Sequence, residues 1–309
     1  MDYAHDLVDA RIKKLSKRLQ KEYAHALSDL EDKARAYFDK FAEQDEKKRE
    51  EVRMGKLTQK EYKKWRTNKI LYGKRYDDLI TELSKDLTHT DEIAQNMINK
   101  SVPYAYMDAA NYTAYEIETT TLTANFTVYN YDAIAELIQN ENMLPQPKVN
   151  IPKDMLWNKK NINSAIVQGI LQGESIPKIA KRLQNVTDMN RRAAIRNART
   201  LHTAAEAKGR QDCYLRAEEM GIDIAQEWIA TLDERTRDAH RELDGVVKPM
   251  GEPFENSIGK IRYPADPQAH PANVYNCRCT LRGVLKDYPY QTDRFSKAGY
   301  AAWKQGKKK

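Results

Sequence analysis

The sequence predicts a mainly α protein with a small α+β C-terminal unit: long amphipathic helices followed by a turn-rich His/Cys domain. Three observations predict it. Apolar residues recur at spacings of three and four through the first part of the chain, the signature of helices with one buried stripe. Gly245, Pro249, Gly251, Pro253, Gly259, Pro264, Pro267 and Pro271 crowd one later interval, which excludes long helices there. The run Ile222 to Leu232, with Ile224, Trp228 and Ile229, has strand-like content and leads into that interval.

The elements follow in order. Ile12, Leu15, Leu19, Tyr23, Leu27, Leu30, Ala34, Phe38 and Phe41 mark a long first helix that ends in a charge run, Asp45 to Arg53, near Gly55. Thr58 and Glu61 form the pattern of a capping box and start a second helix through Tyr62, Trp65, Ile70 and Leu71. Ile93, Met97 and Ile98 suggest a third helix from about Asp91. Asn111 to Asn130 is Tyr- and Thr-rich and carries no clear period, and Tyr131 to Gln139 resumes a helix. Pro145, Pro147 and Pro152 mark a linker over 140–152. Ser175 caps a helix with Pro177 in its first turn. A long helix then runs from about Met189 to Met220, with Ala194, Ala198, Leu201 and Ala205 as its buried stripe and Gly221 as its stop. The division expected is a helical scaffold over 1–140, a second helical unit over 150–221, the turn-rich domain over 222–285 and a mobile basic tail over 286–309.

Composition narrows the function classes. The net charge is +7, and residues 178–210 alone hold nine Lys or Arg against two acids, so the whole excess is local. Arg192, Arg196 and Arg199 lie on that helix away from the apolar stripe and are the candidate contacts to DNA phosphates. A solvated charged face is the plainer reading of such a stripe. The start of the chain lacks the pattern of a signal peptide, and no apolar run is long enough to span a bilayer, so no membrane role is expected. Three cysteines, one of them isolated at Cys213, form no disulfide framework and suggest a reducing compartment.

The densest chemistry lies between Asp233 and Cys279. Cys277, Cys279, His240 and His270 are the residue types of a tetrahedral zinc shell, with the cysteines on one side of a strand. A structural zinc would offset the ordering entropy of a unit too small to bury much apolar surface. Set against it is a metal-free hydrogen-bonded cluster with buried cysteines. Asp233, His240, His270 and Asn276 are also the types of a metal-dependent nuclease site, although no HNH-like or HExxH-like spacing is present. Arg235, Arg237 and Arg278 suit a self-contained ion-pair network with Asp233, Asp238 or Asp244 better than a phosphate clamp.

Taken as an ordered signature, these residues resemble a family. Trp228 to His240, then Leu243-Asp244-Gly245, Tyr263-Pro264, His270-Pro271 and Asn276-Cys277-Arg278-Cys279 resemble the phage head morphogenesis domain of minor head proteins, the group of the Mu F protein and the SPP1 gp7 protein. Ala198-Arg199-Thr200 resembles the helix leading to that motif, with Leu201 standing where the family has Glu. The resemblance implies a non-enzymatic minor capsid protein acting in capsid assembly, with the portal protein and other capsid or scaffold proteins as partners. It also implies placement in the virion after assembly in the host cytoplasm, and double-stranded DNA close by. Some relatives fuse this domain to toxin domains; nothing here reads as one. A metal-dependent nuclease and a general DNA-binding protein are the alternatives.

Overall fold

The periodic stripe folds as it reads. In the computed structural model, which describes residues 2–140, 144, 150–288 and 295–307, helix α1 spans Tyr3–Phe38. Ile12, Leu15, Leu19, Tyr23, Leu30, Ala34 and Phe38 are all buried along it. A single 3-10 turn, Asp39–Phe41, separates it from α2, Ala42–Arg53, so the first helix ends before the charge run rather than in it. Helix α3, Gln59–Ile70, has the expected capping box: the Thr58 hydroxyl accepts from Glu61 N at 3.2 Å, and Glu61 accepts from Thr58 N at 2.9 Å.

The third helix corrects the sequence reading. Helix α4 spans Lys74–Thr121, beginning well before Asp91 and running on through Pro103 and the Tyr/Thr-rich stretch. Tyr76, Leu79, Ile80, Leu83 and Leu87 bury the added first turns. At the other end Tyr and Thr are weak helix formers, and burial overrides them: Tyr112 and Tyr115 are buried, and Thr120 and Thr121 return their hydroxyls to the carbonyls of Glu116 and Ile117. Helix α5 spans Tyr131–Asn140 as expected. Most of the 140–152 linker lies outside the described residues. Helix α6, Ile151–Leu171, starts from an Asn150 cap, with Pro152 in its first turn. Helix α7, Ile176–Glu219, is one continuous helix where the sequence suggested two. Its stripe Ala194, Ala198, Leu201 and Ala205 is buried, and Gly221 follows at φ 83°.

The chain forms two compact units, each assembled from separated stretches of sequence. One comprises Lys17–Asn96 and Lys148–Ala194. Its interior holds a polar network: Asp91 accepts from the Tyr23 hydroxyl at 2.7 Å and from the amides of Asn158 and Asn190 at 3.2 and 2.9 Å. The other comprises Met1–Ser16, Met97–Pro147 and Ile195–Lys309, and contains the His/Cys region. There β1, Ile224–Ile229, is the middle strand of an antiparallel sheet between β2, Val247–Pro249, and β5, Thr280–Leu285. A hairpin of β3, Phe254–Asn256, and β4, Gly259–Ile261, and two single-turn helices, α8, Asp238–Arg241, and α9, Pro271–Val274, complete it.

The tail also departs from expectation. It contains helix α10, Lys297–Gly306, which packs on an aromatic cluster. Tyr300 is buried with Ala4, Tyr112 and Tyr115, and Tyr3, Phe295 and Trp303 pack around them. Trp303 Nε1 and Lys307 Nζ donate to Glu118 at 2.5 and 2.6 Å. Aromatic burial and a largely covered carboxylate outweigh the charge that made the segment look solvated.

Candidate metal centre

The turn after β1 is built by its own polar residues. Asp233 Oδ1 accepts from the backbone N–H of Arg235 at 2.9 Å, which closes an Asx-type turn. Both carboxylate oxygens of Asp233 then receive the Arg278 guanidinium at 2.5 Å. This fork holds Asp233 well below the usual carboxylate range, with the Arg278 hydrogen bonds as the largest cause. Asp244 accepts from Ala230 N at 2.8 Å, the Thr231 hydroxyl donates to the Arg278 carbonyl at 2.7 Å, and Arg237 donates to the Tyr275 carbonyl. Arg235 is exposed. Of the arginines of this motif, Arg278 pairs with Asp233, and Arg237 donates to backbone.

The network brings the Cys277-Arg278-Cys279 loop under α8. His240, on α8, is buried with both cysteines, and one ligand atom from each of the three lies within 4.8 Å of the others. His240 Nδ1 stands 3.5 Å from Cys277 Sγ and 3.5 Å from Cys279 Sγ. The His240 ring packs edge-on to Trp228, at 5.5 Å between centroids, and Trp228 packs on Phe254 at 5.3 Å. The hydrogen bond from Cys277, then that with His240, holds the Cys279 thiol down at about 5, while the same Cys279 contact pushes Cys277 up.

Two expectations about the site are corrected. His270 does not join the cluster. It is exposed and caps α9, its Nδ1 accepting from Ala272 N at 3.2 Å. The adjoining Pro271 starts that turn, which commits His270 to the cap position. The cysteines also precede β5, which begins only at Thr280, so a loop and not a strand face aligns them.

The basic helix divides. Arg192 and Arg196, one turn apart on α7, are exposed. Arg199 is instead half-buried and donates to Asn276 Oδ1 at 2.7 Å, while Asn276 N donates to the Thr200 hydroxyl at 2.9 Å. Burial, then the charges of Arg278 and Arg235, lowers the Arg199 pKa. Asn276 takes φ 62°, a left-handed turn that Asn tolerates well, and is a structural hinge of the motif. Arg199 thus belongs to the motif's own wiring.

Sequence reasoning missed a buried charge group beside this site. Glu206 of α7 meets His5 Nδ1 at 3.0 Å, Arg210 at 3.4 Å and the Thr280 hydroxyl at 2.6 Å, and Arg210 also binds Asp2 at 2.7 Å. Glu206 and Arg210 sit at i and i+4 on the stripe side of α7, which was the available signal.

Comparison with known proteins places the motif within a wider similarity. Residues 160–282 match the family described as Phage Mu protein F like protein. The chain is similar to the Minor head protein GP7 of Bacillus phage SPP1, 26% identical over 283 residues that cover 90% of this chain and 84% of that one. It is 33% identical over 126 residues to the NAD(+)--arginine ADP-ribosyltransferase EFV of Enterococcus faecalis, covering 41% of this chain and 26% of that one. It is 30% identical over 124 residues to a protein of Haemophilus influenzae, of which it covers 24%. No solved structure matches. The ordered motif, the family match over residues 160–282 and the similarity to GP7 over 90% of the chain point the same way: the chain is similar to phage head morphogenesis proteins of the minor head type.

Proposed function

We propose that the chain is a non-enzymatic minor head protein that acts in capsid assembly at the portal and resides in the virion. The observation that carries this reading is the similarity to GP7 over 90% of the chain, helices and motif together. In this reading the portal protein is the main partner and other capsid or scaffold proteins are neighbours. The helices over 1–140 and 150–221 supply the docking surface, and the 222–285 unit is a rigid end piece. A structural zinc on His240, Cys277 and Cys279 fastens it. Among the described residues no helix is long and apolar enough to cross a membrane.

Double-stranded DNA is the second partner in this reading. Arg192 and Arg196 support it, because both guanidinium groups reach solvent. Arg192→Ala/Arg196→Ala should weaken duplex binding and reduce the slope of log affinity against log salt by about 2. Binding that ignores salt would eliminate DNA from the account.

The catalytic alternative is supported less. A nuclease would need Asp233, His240 and His270 free to act, whereas Asp233 is held by Arg278 and His270 caps a helix. The transferase activity named for the Enterococcus protein is not carried over, since the match spans 26% of that protein. Incubation of the purified chain with duplex DNA and divalent metal should leave the DNA intact. Cleavage lost in both His240→Ala and His270→Ala would overturn the non-enzyme reading.

Assembly itself gives the test. Procapsids made in cells that express the phage head genes should contain this chain at few copies each. Procapsids that form with the chain fully excluded from the particle would sink the proposal.

A further inference from the structure

The zinc staple proposed above leaves open which imidazole nitrogen would hold the metal and what orients it. Two backbone amides set the orientation. Asn256 Oδ1, at the end of β3, accepts from Ile258 N at 2.9 Å and Gly259 N at 3.2 Å. That fixes the Asn256 amide, so its Nδ2 is the atom that faces Asn273 and donates to Asn273 Oδ1 at 3.2 Å. The reciprocal bond, Asn273 Nδ2 to Asn256 Oδ1, is also 3.2 Å. Asn273 Oδ1 is therefore an acceptor, and it lies 3.3 Å from His240 Nε2. An imidazole nitrogen facing a carbonyl-type acceptor must carry the proton. The His240 tautomer follows: Nε2 is protonated, and Nδ1 presents its lone pair to the two sulfurs.

Geometry makes that lone pair a ligand. Tetrahedral zinc with Zn–S of about 2.3 Å and Zn–N of about 2.0 to 2.1 Å separates S from N by about 3.5 Å. Both sulfurs stand 3.5 Å from Nδ1. Without a metal, one lone pair serves two thiols, and only one S–H can be satisfied there. All three groups are buried. Among the described residues no fourth His, Cys, Asp or Glu joins them.

Resting on the staple reading, we infer that the chain binds zinc through Cys277 Sγ, Cys279 Sγ and His240 Nδ1, with Asn273 as the positioning residue that orients His240 and Asn256 as the anchor behind it. His270 takes no part. The metal thereby fastens three separate pieces, α8, the Cys-Arg-Cys loop and, through the asparagine pair, the β3–β4 hairpin. Such partners of a ligating histidine tune affinity without touching the metal.

The experiment uses the full chain with zinc or cobalt(II) alone. Wild type should bind one zinc, and its cobalt form should show tetrahedral bands with thiolate charge transfer. Asn273→Ala should weaken zinc about 10- to 100-fold while keeping the cobalt bands, because the ligands are unchanged. His270→Ala should leave affinity as it is. Nitrogen-15 shifts of His240 in zinc-loaded wild type should show Nδ1 bound and Nε2 protonated, a readout that needs no variant to fold. A wild-type chain that binds no zinc overturns the staple itself. Zinc held through Nε2, or unaltered by Asn273→Ala, or weakened by His270→Ala, overturns the ligand set and its positioning while leaving the staple in place.

Discussion

His5 and Glu206 show how a buried pair sets a pH window. Burial alone would lower the His5 pKa, but the adjacent Glu206 carboxylate overcomes it and raises the pKa above its ordinary value. Burial alone would raise Glu206, and His5, then Arg210, overcome it and lower it. A raised histidine stabilises the fold below its unfolded pKa of about 6.5, and the gain is lost as pH rises through the folded pKa. A lowered glutamate stabilises above about 4.3, and that gain is lost as pH falls through its folded pKa. The pair therefore contributes most between the two unfolded values. His5→Gln should cost about 2 kcal/mol at pH 6, measured by urea unfolding, and the gap to wild type should narrow at pH 9. A gap that widens toward pH 9 would contradict the ion pair. At this scale the sequence was partly legible. Asp233 and Arg278 could be paired by their types and their place in one signature. His270 could not be excluded, because spacing does not say which way a proline-set turn points. Asn256 and Asn273 gave no signal, since asparagine is ordinary in turns.

Helices were legible wherever apolar spacing was clean, as in α1 and α3, and obscured where burial overrode weak propensity, as in the last turns of α4. One helix contact depends on a missing side chain. A Cβ at Gly209 on α7 would lie 2.6 Å from the Tyr106 carbonyl oxygen on α4. The backbones approach too closely there for alanine. Gly209→Ala should destabilise by about 1 to 3 kcal/mol despite its better helix propensity. A thermal scan showing equal or greater stability would mean the two helices can part freely. The docked tail makes a matching case. Tyr300→Ala should cost about 3 kcal/mol, as expected for a buried aromatic ring, and removal of 295–309 should lower the melting temperature further. An unchanged melting temperature would return α10 to the mobile tail its charges suggested.

At the scale of the molecule one ordered motif carries the resemblance to the family, and similarity to GP7 runs along 90% of the chain. The compact units were not legible, because each joins stretches far apart in sequence, and helical periodicity says nothing about which stretches meet. The basic excess, read first as one stripe, divides into Arg192 and Arg196 at the surface and Arg199 bound to Asn276. What the molecule contributes to a head is then a matter of where it is held. In the proposed role the portal holds it. The most direct measurement is the amount of this chain in procapsids assembled with and without the portal protein, quantified against the major capsid protein. The account predicts a small, fixed number of copies when the portal is present and loss of the chain when it is absent; equal incorporation without the portal would contradict it.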